Sequence, residues 1–282
     1  MLKHLSGKID ISGNAVYFEQ YIASPAAPTL VLLHGFLSSG FSYRSLIPYL
    51  RQEYNIVSID TPPFGQSGKS HRFSYSYKNL ASSISIVVQK LGISTCTIVG
   101  HSMGGQLGLH IMKNHPSLVN NAVLLCSSGY MSKSSKLLRT ASYVPYFSNV
   151  VKRRLEKQGV DKNLEYVVYD QGLINDEMRE GYLRPFHNDE IFRALSKMIR
   201  DREQDLSALE LGHISQPCLL IWGRHDHVVP VQVAHRLKRD LPNAELVIME
   251  DAGHLLPEEK PKEVAQLIKG FLREETSKQK KD

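Results

Sequence analysis

A short apolar run, Thr95-Cys96-Thr97-Ile98-Val99, closes on Gly100-His101-Ser102-Met103-Gly104-Gly105 and opens at once into Gln106-Leu107-Gly108-Leu109-His110-Ile111-Met112. β-Branched residues ahead of the serine favour a strand, and the apolar residues after it recur at the helical period. A chain that passes from strand to helix within one residue bends sharply there, so the positions two before and two after it must lack bulk. Gly100 and Gly104 meet that requirement. Such a turn lifts the Ser102 hydroxyl above the sheet and starts a helix beneath it, where the Met103 N–H is unpaired and the helix dipole favours negative charge. Gly-x-Ser-x-Gly alone arises by chance about once in ten chains of this length, at roughly 7% for each of its residues. The strand before it and the helix after it give it weight.

The same alternation runs through most of the chain. Residues 8–12 and 15–23 read as an antiparallel pair turning at Gly13-Asn14 and forming one edge of the sheet. Residues 29–33 are a continuous apolar run, suited to a strand buried on both faces. There follow a helix over about 41–52, a strand over 55–59, a turn-rich loop over 60–68 and a helix over about 77–91 that leads to the serine strand. Beyond the elbow helix, residues 121–127 supply one more buried strand. From about 129 to 207 the strand pattern stops, leaving helical segments rich in Tyr and charge. Strands at 218–222 and 245–249 then alternate with helices at about 231–241 and 259–273. This order predicts an α/β fold with a mostly parallel, doubly wound sheet. Its core is built from residues 1–128 and 208–275, with a helical cap of residues 129–207 over the carboxyl ends of the strands and a charged tail at 276–282.

Lys and Arg number 34 against 28 Asp and Glu, a balance that permits attraction to nucleic acid or anionic lipid without requiring it. Most charges are scattered. The densest clusters, Lys152-Arg153-Arg154 with Lys157 and the terminal Lys278, Lys280 and Lys281, read as a solvated helix face and a frayed tail, so no nucleic-acid partner is expected. Cys96, Cys126 and Cys218 sit in apolar runs, where a thiol acts as a small buried hydrophobe. The first eight residues lack the apolar segment of a secretory signal, and no uncharged apolar run of about 18 residues occurs. The expectation is a cytoplasmic protein without a membrane span.

Three signatures stand in order along this framework: the elbow at Ser102, Gly223-Arg224-His225-Asp226 after a late strand, and Ala252-Gly253-His254 after the last strand. Together they resemble the α/β-hydrolase superfamily, and the likeness covers nearly the whole chain outside the cap. Chain order Ser, Asp, His is that of this superfamily. The resemblance implies Ser102 as nucleophile, His254 as its base and Asp226 as the group that holds His254 in the right tautomer and stabilises the imidazolium. A serine hydroxyl is a poor nucleophile near neutral pH, which is why a base is needed. Asp251, three residues before His254, reads instead as a loop hydrogen-bonding group, and Asp60 as a cap for the turn at Pro62-Pro63. The family's oxyanion hole would draw on the backbone N–H groups of Met103 and Phe36, the latter through His34-Gly35-Phe36 after the first buried strand. His34 reads as a structural residue that fixes this loop. In Asp60–Gly68, Pro63 stands where the family usually has glycine.

A serine nucleophile sets the chain apart from relatives with an aspartate nucleophile, the haloalkane dehalogenases and epoxide hydrolases. A metal site from His225, Asp226, His227 and His254 would need side chains that alternate in direction along an extended segment to converge, so no metal or cofactor is expected. The favoured activity is acyl transfer to water on a small, largely apolar carboxylic ester, through a triad and an acyl-enzyme. Two alternatives share the motifs: a C–C hydrolase of the meta-cleavage-product type, and a ligand-sensing protein with a slow triad. The former usually carries Asn before the nucleophile and Trp after the catalytic His, where this chain has His101 and Leu255.

Overall fold

In the computed structural model, which describes residues 3–279, the chain opens with a hairpin of β1 (Lys3–Ile11) and β2 (Asn14–Ile22). The turn falls on Ser12 and Gly13, one residue earlier than expected, because both positions take positive φ, 54° and 76°, as the two-residue turn that matches strand twist requires. Next come β3 (Thr29–Leu33), α1 (Ile47–Leu50), β4 (Asn55–Asp60), α2 (Tyr77–Lys90), β5 (Cys96–His101), α3 (Met103–Asn114) and β6 (Val119–Leu125). Five helices follow without a strand: α4 (Lys136–Ala141), α5 (Phe147–Gln158), α6 (Val160–Val167), α7 (Asp176–Leu183) and α8 (Glu190–Asp201). The chain closes with α9 (Ala208–Leu211), β7 (Cys218–Gly223), α10 (Val231–Asp240), β8 (Ala244–Met249), α11 (Leu256–Glu259) and α12 (Pro261–Gln279).

The eight strands form one sheet in the order β1-β2-β4-β3-β5-β6-β7-β8. The pairings β1–β2 and β2–β4 are antiparallel; every pairing from β4 across to β8 is parallel. From β3 the chain steps to β4 on one side and then returns to β5 on the other. A sheet that is wound both ways from one strand leaves a crevice at the carboxyl ends where the direction reverses. His34-Gly35-Phe36 leaves β3 at that point and the serine elbow leaves β5 beside it. The central strands can be continuous apolar runs because helices cover both faces: Leu30, Val31, Leu32 and Leu33 are all fully buried, a burial that contributes roughly 1.5–3 kcal/mol for each such side chain.

Two helical expectations are corrected. The segment expected as one helix over 41–52 is a 3₁₀ turn at Gly40–Tyr43 followed by α1, whose first turn contains Pro48. Proline has no N–H to donate to the preceding turn, so it starts a new helix instead of continuing one. At the other end, the expected start at 259 falls in α11, and α12 begins at Pro261 because the residue before proline avoids the helical region. Its end lies beyond the expected Arg273: Phe271, Leu272 and Glu275 are buried, and Thr276 Oγ1 and Lys278 Nζ hydrogen-bond back to Leu272 O and Glu275. The expected tail is thus helical as far as Gln279, while Lys280, Lys281 and Asp282 lie outside the described residues, as do Met1 and Leu2.

Candidate active site

Ser102 occupies the junction of β5 and α3 with φ 53° and ψ −118°, a left-handed conformation that costs a non-glycine residue on the order of 1–3 kcal/mol. The turn closes so tightly that a Cβ on Gly100 would lie 2.5 Å from Gly104 O, and one on Gly104 would lie 1.9 Å from Leu33 O. Only hydrogen fits at either position. Sharp winding leaves Ser102 largely buried yet on the wall of two cavities. Met103 is the first residue of α3, so its N–H lies outside the intrahelical ladder. Gly35 packs against the Ser102 and His101 side chains, which brings the Phe36 backbone alongside the elbow.

Asp226 and His254 come together from loops after β7 and β8. His254 Nδ1–H donates to Asp226 Oδ2 at 2.7 Å, and the aspartate side chain is fully buried. Asp226 Oδ1 accepts the backbone N–H groups of Val228 and Val229, both at 2.8 Å. Burial alone pushes this carboxyl up, but the bonds from His254 and Val229 outweigh it and hold the group below the ordinary carboxylate value. An ionised Asp226 fixes the proton on Nδ1 and leaves Nε2 of His254 free to accept one. Ser102 and His254 line the same cavity.

The competing carboxylates lie apart from the His254–Asp226 pair, and neither makes the contact expected of it: no side-chain hydrogen bond of Asp251 occurs among the described residues, and Asp60 bridges two loops. Asp251 is exposed, whereas Asp60 accepts the N–H groups of Gly40 and Gln66, both at 2.7 Å, and so ties the loop after β4 to the loop after β3. His34 is buried and bridges the same loops: its Nδ1–H donates to Gly35 O at 2.8 Å and its Nε2 accepts from Thr61 N–H at 2.9 Å. Burial lowers its pKa, so it serves as a neutral strut beside Phe36.

Three residues around the site escaped the sequence reading. Glu259 of α11 is half-buried and its carboxylate accepts the N–H of Gly253 and of Leu255, which flank His254, and that of Tyr169 from the helical segment, at 3.2–2.8 Å. His101, the variable residue inside the elbow motif, donates from Nε2 to His254 O at 2.8 Å; burial and then the neighbouring His254 push its pKa down to about 3, so it remains neutral. Cys126, with φ 44°, places Sγ within 4.8 Å of ligand atoms of Asp226 and His254, the one group of possible metal donors among the described residues. Burial, followed by the charge of Asp226, raises the thiol well above its ordinary pKa, and the Asp226 and His254 atoms already bond one another. A metal there would have to displace the Nδ1 proton and ionise the thiol. His225 and His227, members of the metal set weighed from sequence, are exposed: His225 stacks on Tyr169, and His227 packs at a tilt against Tyr166.

Two largely apolar cavities meet at Ser102. One, of about 460 Å³, contains His101, His254, Leu164, Tyr182 and Phe186; the other, of about 570 Å³, contains Met103, Tyr77, Ser128, Phe147 and Met198. The helices between β6 and β7 supply most of both roofs. The C-terminal end of α6 is fastened to the loops beneath it: His254 N–H donates to Val167 O at 2.8 Å, and Tyr166 OH donates to His227 O at 3.0 Å. The left-handed residue where the chain leaves the core is Tyr130, with φ 62°, and not its neighbour Gly129.

Comparison with known proteins agrees with this architecture. The chain is 45% identical over 266 residues to the uncharacterized hydrolase YugF of Bacillus subtilis (strain 168), covering 94% of this chain and 97% of that one. It is 29% identical to the 2-hydroxymuconate semialdehyde hydrolase of Pseudomonas putida, covering 89% and 84% of the two chains. Among solved structures, a membrane phospholipase A described as a bacterial virulence factor superposes with a TM-score of 0.80 at 25% identity, over 98% of this chain and 87% of that one. The profile of the alpha/beta hydrolase fold family matches residues 28–261, and on that match, together with the sheet order and the near-full-length relative, the chain belongs to this family of hydrolases.

Proposed function

We propose that this hydrolase cleaves a carboxylic ester of a small, largely apolar substrate, with Ser102 as nucleophile, His254 as general base and acid, and Asp226 as the residue that orients and stabilises the imidazole. The observation that carries this reading is the 2.7 Å bond from His254 Nδ1–H to a fully buried Asp226, in the same cavity wall as a strained serine. His254 takes the serine proton as Ser102 Oγ attacks the ester carbon. The resulting oxyanion sits against the N–H groups of Met103 and Phe36, each such donor worth about 10²–10³ in rate. Collapse expels the alcohol, which receives the proton from His254, and water then repeats the sequence to release the acid.

That proton return also orders the two cavities. The leaving alcohol must lie on the side that contains His254, the 460 Å³ chamber, and the acyl group takes the 570 Å³ chamber lined by Met103. Residues 129–207 act in this reading as a cap whose apolar underside selects both groups. A second reading, C–C hydrolysis, is favoured by the likeness to the 2-hydroxymuconate semialdehyde hydrolase. It is weakened by His101 and Leu255, where that class usually has Asn and Trp.

Steady-state assays with p-nitrophenyl esters of graded acyl length separate these readings. Multiple turnover above about 1 s⁻¹ on at least one short or medium ester is expected, with Asp226→Asn slower by about 10⁴ because the wrong tautomer is held. Efficient cleavage of a 2-hydroxy-6-oxo-dienoate with negligible ester turnover would establish the C–C reading instead. Rapid acylation without release across the panel would mark a sensor.

A further inference from the structure

Residues 129–158 hold seven of the chain's 34 Lys and Arg but only one of its 28 Asp and Glu. The rest of the chain is balanced at 27 of each, so the whole formal net charge of +6 belongs to this one stretch. Among the described residues only Lys152 of the seven reaches a carboxylate, those of Glu156 and Asp189. Lys133, Lys136, Arg139, Arg153, Arg154 and Lys157 form no ion pair among the described residues, Lys152 alone of the seven doing so.

The same stretch concentrates exposed large apolar side chains, Leu137 at 82%, Tyr146 at 79%, Tyr143 at 73% and Val150 at 61%; elsewhere among the described residues only Leu209, at 76%, is as exposed. On α5, Val150, Arg153, Arg154 and Lys157 follow at helical spacings and so share one face. Leu138 of α4 and Val150 of α5 both line the 570 Å³ cavity, so each helix contributes to its wall. Apolar and aromatic groups interleaved with unpaired cations match one kind of surface, the headgroup region of an anionic bilayer, where aliphatic side chains reach the acyl boundary and Lys and Arg meet phosphates. A nucleic acid would use the cations but leave Leu137 and Val150 without a role. A second copy of this chain would set +6 against +6.

We propose that α4, α5 and the turn between them form a docking face for an anionic lipid bilayer, with the larger cavity at Ser102 opening toward it. Passage of an amphiphilic ester from the bilayer into that cavity rests on the ester-hydrolase reading above; the docking does not.

The test is co-sedimentation of the full chain with vesicles of phosphatidylcholine, alone or with about 30% phosphatidylglycerol, at about 0.1 M salt. Three proteins are compared: wild type, the charge variant Lys133→Glu/Lys136→Glu/Arg139→Glu and the apolar variant Leu137→Ser/Tyr146→Ser. None of these five residues lines either cavity at Ser102. Thermal melts followed by circular dichroism confirm that each is folded, and hydrolysis of soluble p-nitrophenyl acetate is measured alongside. Wild type is expected to partition onto the anionic vesicles at least tenfold better than onto the neutral ones. The charge variant should lose on the order of 100-fold in partitioning and the apolar variant about tenfold, both with the soluble-ester rate unchanged. Failure of wild type to bind anionic vesicles overturns the proposal. So does an apolar variant that binds as wild type does, which would indicate a general polyanion site, or a wild-type dimer that the apolar substitutions dissociate. A wild type that binds vesicles but leaves p-nitrophenyl esters intact contradicts the ester reading and leaves the docking face standing.

Discussion

Glu259 collects three backbone N–H groups, those of Gly253 and Leu255 on either side of His254 and that of Tyr169. Its carboxylate is raised by burial and drawn back by those same N–H groups, so removal of the acceptor leaves the part-buried N–H groups of Gly253 and Leu255 without their partner. Glu259→Ala is expected to destabilise the fold by about 2–4 kcal/mol and to lower kcat tenfold or more with KM little changed. Glu259→Gln, which keeps an acceptor, should restore most of both; urea midpoints and steady-state kinetics decide, and a kcat unaffected by Ala would remove Glu259 from any positioning role. At this scale the sequence was informative where a functional side chain follows closely on a strand. The proposed triad residues Ser102, Asp226 and His254 lie within five residues of the ends of β5, β7 and β8, so the periodicity that locates each strand points to the residue. Glu259 lies beyond an irregular segment in a helix of four residues, and Cys126 looks like one more strand hydrophobe. Neither leaves a periodic trace. The signal available for Glu259 was the pair of acidic residues after Pro257, at the start of a helix where carboxylates meet free N–H groups.

The connections between the helical layer and the sheet form a second unit of argument. Asp205 N–H donates to Met131 O at 2.9 Å and Met131 N–H returns to Asp205 Oδ2 at 3.1 Å, so the two crossings are clamped to one another. Burial, partly offset by the Met131 N–H, pushes the Asp205 carboxyl up to about 6, and its Oδ1 has no partner among the described residues. A carboxyl raised in the folded state contributes stability that is fully present below its unfolded value, near 3.9, and lost as pH rises through about 6. Asp205→Asn is therefore expected to flatten the stability profile between pH 4 and pH 7, gaining at pH 7 by no more than about 3 kcal/mol. Urea unfolding at both pH values measures it, and parallel shifts at the two would contradict the assignment. Strands were the most legible elements because burial on both faces leaves an apolar run that nothing else in a soluble chain requires. The helix expected over 41–52 was lost to Pro48, and the terminal helix ran past its expected end because Glu275 and Lys278 pair across one turn of it. Local proline chemistry and a single side-chain pair decided those ends, and hydrophobic periodicity records neither.

For the molecule as a whole, the order of strands about β3 creates one crevice, and the serine, the histidine and both expected N–H donors lie on three separate stretches of chain that meet there. That convergence was readable because a doubly wound sheet places all its carboxyl ends on one side. The helical layer was readable only as an absence of strands. Its pattern did not distinguish Tyr182 and Phe186, which line a cavity, from Tyr143 and Tyr146, which face outward, since aromatic side chains serve either purpose. The account depends most on Ser102 as the nucleophile, and one measurement reaches it directly: treatment of the wild-type protein and Ser102→Ala with a fluorophosphonate, followed by peptide mass spectrometry. The account predicts a single phosphonylated site, Ser102, formed in step with loss of ester hydrolysis, and no label on Ser102→Ala, whose stability is little changed. Label on another serine that persists in Ser102→Ala, with activity lost as it forms, would contradict it.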